Sequence, residues 1–198
     1  MTRFLLSLAL ALLTTLSLSA QFEGDRLFGG ATLGYASPTG DFDELADGGL
    51  TYTVVGGYKL TNRLAAGFEY GNAITAGVAN DLGTGVLGIE SYGLTNYFLR
   101  GWYTFKDGSF APYASVGLGL ASIEEPDVTI NDTTVEGTSR TGFGGDLEIG
   151  FNLKNFNVSY TYVLGGKTPE MPAFNPNGGD LGVSYQRFQI GYIYNFSN

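Results

Sequence analysis

Large apolar side chains recur at every second position in eight separate stretches of this chain, and that period belongs to strands. In FQIGYIYNF, residues 188–196, they are Phe188, Ile190, Tyr192, Tyr194 and Phe196. The same alternation runs through LFGGATLGY at 27–35, LTYTVVGGYKL at 50–60, RLAAGFEYG at 63–71 and NYFLRGWYTF at 96–105. It continues through PYASVGLGLA at 112–121, GFGGDLEIGFNL at 142–153 and NFNVSYTYVL at 155–164. One face of each stretch is apolar and the other is built of Gly, Ser, Thr and a few charges. In 96–105 both faces hold large groups. Arg100 sets the register there, because a charge belongs on the polar face, and Phe98 and Trp102 follow it.

The connections alternate in length. Thr61–Asn62, KDGS at 106–109 and Lys154–Asn155 are tight turns. The others, Ser37 to Gly49, Ala73 to Ser91, Ile123 to Arg140 and Gly165 to Ser184, are long and rich in Gly, Asp, Asn, Thr and Pro, as loops are. Strand, long loop and strand therefore repeat four times, joined by the three short turns. All long loops fall at one end of an all-β, eight-stranded, antiparallel up-and-down sheet. Pairing of the last strand with the first removes both open edges and closes the sheet into a barrel.

Such a barrel can close with its apolar face inward, as a soluble lipocalin-like ligand carrier does. It can also close with that face outward to lipid and a polar lumen. The polar face carries Lys59, Arg100 and Arg187 against Glu69, Asp146 and Glu148, a balanced set among small residues. Few charges, matched in sign, suit a closed lumen in which each ion needs a partner. The apolar face has hardly a charge, and its aromatics gather near strand ends, where interfacial girdles lie: Tyr35, Tyr52, Tyr58, Tyr70, Tyr103, Phe105, Phe143, Phe156 and Phe196. The transmembrane barrel is the expectation; the soluble carrier is the alternative.

The N-terminus agrees. Residues 1–20 have a cation, Arg3, then an apolar run from Phe4, then small residues ending in Ala20, the layout of a secretory signal peptide. Cleavage is expected there, leaving a barrel domain over 21–198. No Cys exists, so neither a lipid-modified cysteine nor a disulfide is available. No His exists, which removes the commonest general base and metal ligand. Without Arg3, nine basic residues face 19 acidic ones, and nucleic acid is not an expected partner.

In its whole mature length the chain resembles small outer-membrane β-barrel proteins of the OmpA transmembrane-domain and OmpX type, and in particular the outer membrane protein β-barrel families of Bacteroidota-like bacteria. The resemblance rests on SPTGDF at 37–42, APYASVGLGLA at 111–121 and the terminal strand. It implies short periplasmic turns, long extracellular loops, residence in the cell outer membrane among its lipid and lipopolysaccharide, and a monomer. It also implies that the terminal strand carries a signal for the barrel-insertion machinery. Gln189, Gly191, Tyr194 and Phe196 match that signal in order, with Ser197 and Asn198 following where many members end on the aromatic.

Some small membrane barrels are acyl-transfer or hydrolytic enzymes, but such sites commonly use His with Ser or Asp. Asp146 and Glu148 share a strand face and form the one carboxylate pair of interest, and a lumen ion-pair role fits them better than catalysis. No catalytic, cofactor or metal site is expected, and the chain is expected not to be an enzyme. A narrow pore for ions or small solutes is the alternative, although eight strands leave an interior that side chains can fill. The third class is adhesion or envelope support, with the acidic loops as the surface: Asp41, Asp43, Glu44 and Asp47, then Glu124, Glu125, Asp127, Asp132 and Glu136. These loops are also where divalent cations could bridge to lipopolysaccharide.

Counted from the short-turn ends at ~3.3 Å per residue, Glu69, Arg100 and Glu148 reach similar heights. An Arg100-centred cluster is therefore expected, with Glu69 as first partner. Asp146 and Arg187 should form a second layer above it, and Lys59 should lie apart.

Overall fold

The computed structural model describes residues 26–44, 46–77, 91–124, 128–130, 133–135, 139–168 and 181–196. The stretch read as a signal peptide lies outside them. So does most of the material in the three later long connections.

Ten strands are present among the described residues: β1 (Leu27–Thr39), β2 (Ala46–Lys59), β3 (Leu64–Gly77), β4 (Ser91–Thr104), β5 (Phe110–Glu124), β6 (Val128–Ile130), β7 (Thr133–Val135), β8 (Ser139–Leu153), β9 (Phe156–Thr168) and β10 (Leu181–Phe196). Eight of them close a barrel in the order β1-β10-β9-β8-β5-β4-β3-β2, every pair antiparallel. The seam runs from Leu27 opposite Phe196 to Thr39 opposite Ser184, so the terminal aromatic strand has no free edge. The short strands β6 and β7, within the β5–β8 connection, pair with each other.

The alternation in the sequence becomes an inside-out molecule. Leu33, Leu50, Leu99 and Phe143 are 68%, 76%, 73% and 69% exposed, while Glu69, Arg100 and Arg187 are 1%, 3% and 0% exposed. Leaving one such aliphatic side chain in water forgoes about 1.5–3 kcal/mol. A belt of them right round the barrel is stable against hydrocarbon and not against water. That arrangement sets aside the soluble, apolar-inside alternative.

Short turns close one end. Lys154 takes a left-handed conformation (φ 56°) in the two-residue turn to β9, and Gly108 (φ 126°) serves the β4–β5 turn, where a side chain would be strained.

At the other end the strands outrun their expected limits. β1 continues through Ser37 and Pro38 to Thr39, β3 to Gly77, β9 to Thr168, and β10 begins at Leu181. The hydrogen-bond ladder continues beyond the expected ends, with Ser37, Ser184 and Gln186 on the outward side of the seam. Gly40 (φ 65°) then turns the chain into a 3-10 segment, Gly40–Glu44, and β2 begins at Ala46. The expected long loop from Ser37 to Gly49 is thus a compact turn. It tucks Phe42 (2% exposed) against Tyr92, ring centroids 5.5 Å apart.

Candidate functional site in the barrel interior

The inward face of the barrel holds three zones. Nearest the long connections is an apolar layer that includes Phe42, Tyr92, Leu94, Phe98, Val163 and Tyr185, all almost fully buried. Nearest the short turns is a cavity of about 430 Å³. Between them Arg100 and Arg187 meet Glu69, Asp146 and Glu148.

Arg100 Nη2 lies 2.6 Å from Glu69 Oε2, and its Nη1 lies 2.8 Å from Glu148 Oε2. Arg100 also pairs with Asp146. Arg187 Nη2 is 2.9 Å from Glu69 Oε1 and 3.3 Å from Asp146 Oδ2. The five residues named from the sequence are therefore brought together. The expected division into two layers is not: Asp146 and Glu69 each take both arginines, so a single network results. Heights counted along separate strands ignore the stagger a closed barrel needs. In the actual register Leu153 is opposite Phe110 while Thr104 is opposite Tyr113, a slip that brings Asp146 level with Arg100. Lys59 does lie apart, on the cavity wall.

Neutral side chains add hydrogen bonds around the network, while Arg100 Nε, Arg187 Nε and Asp146 Oδ1 have no hydrogen-bond partner among the described residues. Asn96 Nδ2 donates to Glu69 Oε1 (3.0 Å), Tyr113 OH to Glu148 Oε1 (2.8 Å) and Thr161 Oγ1 to Glu148 Oε2 (2.9 Å). Arg100 Nη1 donates to Ser115 Oγ (2.7 Å) and Arg187 Nη1 to Thr53 Oγ1 (3.2 Å). Buried charge needs such partners, because each ion loses several kcal/mol of hydration.

Two glycines, not singled out in the sequence, make the network possible. Gly117 on β5 is opposite both Arg100 and Asp146, and a Cβ there would stand 2.5 Å from Asp146 Oδ1. Gly71 on β3 faces Arg187, where a Cβ would meet Nη1 at 2.6 Å. Glycine on the polar face beside a charged position was the available signal.

The two large groups that follow Arg100 inward have separate places. Phe98 packs in the apolar layer. Trp102 sits below the network, with Arg100 Cζ 5.9 Å from its ring centre and Phe28 meeting its edge at 5.3 Å.

In β10, Gln189 points inward and donates to Thr53 Oγ1 at 2.8 Å. Gly191 is opposite Thr32, and Tyr194 and Phe196 point outward, edge to face at 5.1 Å. Of the loop acids, Glu125, Asp127, Asp132 and Glu136 fall outside what is described.

A family model for the outer membrane protein β-barrel domain matches residues 8–196. The chain belongs to that family. Its place is the outer membrane, with short turns at the periplasmic end and long connections outside. Among solved structures, Neisserial surface protein A shares 15% identity over 88% of this chain and 98% of its own, with a TM-score of 0.60. OprG of Pseudomonas aeruginosa shares 13% over 88% and 98%, with 0.52. Ail of Yersinia pestis, in complex with the heparin analogue sucrose octasulfate, shares 14% over 85% and 99%, with 0.51. At such identities the likeness is one of fold. No curated protein matches the chain.

Proposed function

We propose that the protein is a non-enzymatic outer-membrane barrel with a structural and surface-interaction role, its lumen plugged rather than conducting. The observation that carries this reading is the Arg100–Arg187 network lying directly beneath an apolar layer. An ion entering from either end meets the paired charges of the network or the apolar layer. The carboxylates that could do acid–base chemistry, Asp146 and Glu148, are held by arginine.

Surface interaction is the proposed task of the outer end. The four long stretches named above hold thirteen acidic and two basic residues. That balance disfavours a sulfated polyanion of the kind bound by Ail. It favours a cationic partner, or lipopolysaccharide bridged by divalent cations. The terminal residues Gln189, Gly191, Tyr194 and Phe196 serve as the insertion signal, and a single chain completes the barrel.

Deletion of the gene in the native bacterium tests this. Raised sensitivity to detergents with unchanged uptake of small solutes is the expected result. Loss of solute uptake with an intact permeability barrier would favour the pore instead.

A further inference from the structure

The cavity at the periplasmic end is built differently from the rest of the lumen. Its inner end is floored by Glu69 and Glu148, both already held by arginine. Its walls include Phe28 and Trp102. Its mouth carries Lys59, Arg63 and Lys154 with one acid, Asp107. None of the three cations has an ion-pair partner among the described residues. A second, independent feature lies inside: Thr32, 7% exposed, lines the cavity, and its Oγ1 has no hydrogen-bond partner among the described residues. A buried hydroxyl left unpaired is costly and calls for a partner.

We propose that this cavity binds a small organic anion from the periplasm. The anionic group rests on Lys59, Arg63 and Lys154. A flat apolar body lies against Phe28 and Trp102, and a polar substituent reaches Thr32. The orientation follows from charge: the network holds three carboxylates to two arginines, so a negative group stays at the mouth and the uncharged end goes in. The volume, about 430 Å³, suits one small molecule. The site ends below the network, so occupancy does not require a pore.

Trp102 is the sole tryptophan, so its fluorescence reads this cavity alone. The protein in zwitterionic phosphatidylcholine bicelles is titrated with 4-nitrobenzoate, a quencher of the proposed shape and charge, and with uncharged 4-nitrobenzyl alcohol. Saturable quenching by the anion is expected, about tenfold weaker for the alcohol and about tenfold weaker after Lys59→Gln with Arg63→Gln. Thr32→Val, which keeps the volume, should weaken binding by a smaller factor. Neither change touches the ion network, and heat-shifted gel migration verifies barrel closure in each. Non-saturable quenching equal for both compounds would overturn the proposal. So would saturable quenching that both variants leave unchanged. Loss of the anion's effect when phosphatidylglycerol replaces part of the phosphatidylcholine would show a lipid headgroup in the cavity instead, and would overturn it equally.

Discussion

Arg100 and Asp146 sit two strands apart, on β4 and β8, yet they form an ion pair because the residue between them in the register is Gly117. The intervening strand supplies backbone and no side chain, so the guanidinium reaches across it.

Gly117→Val fills that gap. A branched side chain would displace the Asp146 carboxylate and crowd Phe98, whose Cβ would stand 3.2 Å from the new Cβ. Overpacking of this kind costs about 1–3 kcal/mol. A lowered urea midpoint for unfolding from detergent or lipid is the expected outcome. An unchanged midpoint would mean the network has room to spare.

Arg100→Leu removes the partner shared by three carboxylates. Breaking a buried pair by deleting one member costs on the order of 3–5 kcal/mol. Adding Asp146→Asn should recover part of the loss, since one stranded charge goes with it. A double-mutant cycle in equilibrium refolding checks both statements. Strict additivity of the two changes would deny the coupling.

How much of this was legible beforehand depends on the residue. Within the eight alternating stretches the facing followed from period two, and in 96–105, where both faces are large, from the charge of Arg100, which carried Trp102 inward with it. The partners of Arg100 followed only in part, because strand stagger is set by pairing across the barrel and not by any one strand's spacing. The strand ends were hidden as well. Ser37, Pro38 and Thr39 read as loop, yet they complete the seam with Ser184, Tyr185 and Gln186. The apolar layer was hidden for a different reason. Phe42 reaches it through a 3-10 turn, and no periodicity announces that. The β6–β7 hairpin, three residues a side, is too short to carry a period at all.

The terminal strand separates energetics from recognition. Phe196 lies at the end of β10, near the interface, where an introduced charge costs roughly 1 kcal/mol or less. That is too small to prevent insertion by itself. If Phe196 completes an insertion signal, Phe196→Asp should lower the inserted fraction several-fold in cells while refolding into synthetic bilayers stays near normal. Equal insertion of Phe196→Asp, Tyr194→Asp and the parent in cells would remove the signal role.

Export should leave its mark on the mature mass. Intact-mass spectrometry of protein taken from outer membranes is expected to place the first residue near Gln21. Retention of Phe4 to Leu16 would contradict the cleaved-signal reading.

Single-channel recording in planar bilayers tests the plugged lumen most directly. Purified protein, inserted at known density, should give no steady open level, and Arg187→Lys should give none either. A stable, ohmic open level in most insertions of the unaltered protein would contradict the account, because ions would then be passing the Arg100–Arg187 network and the apolar layer above it.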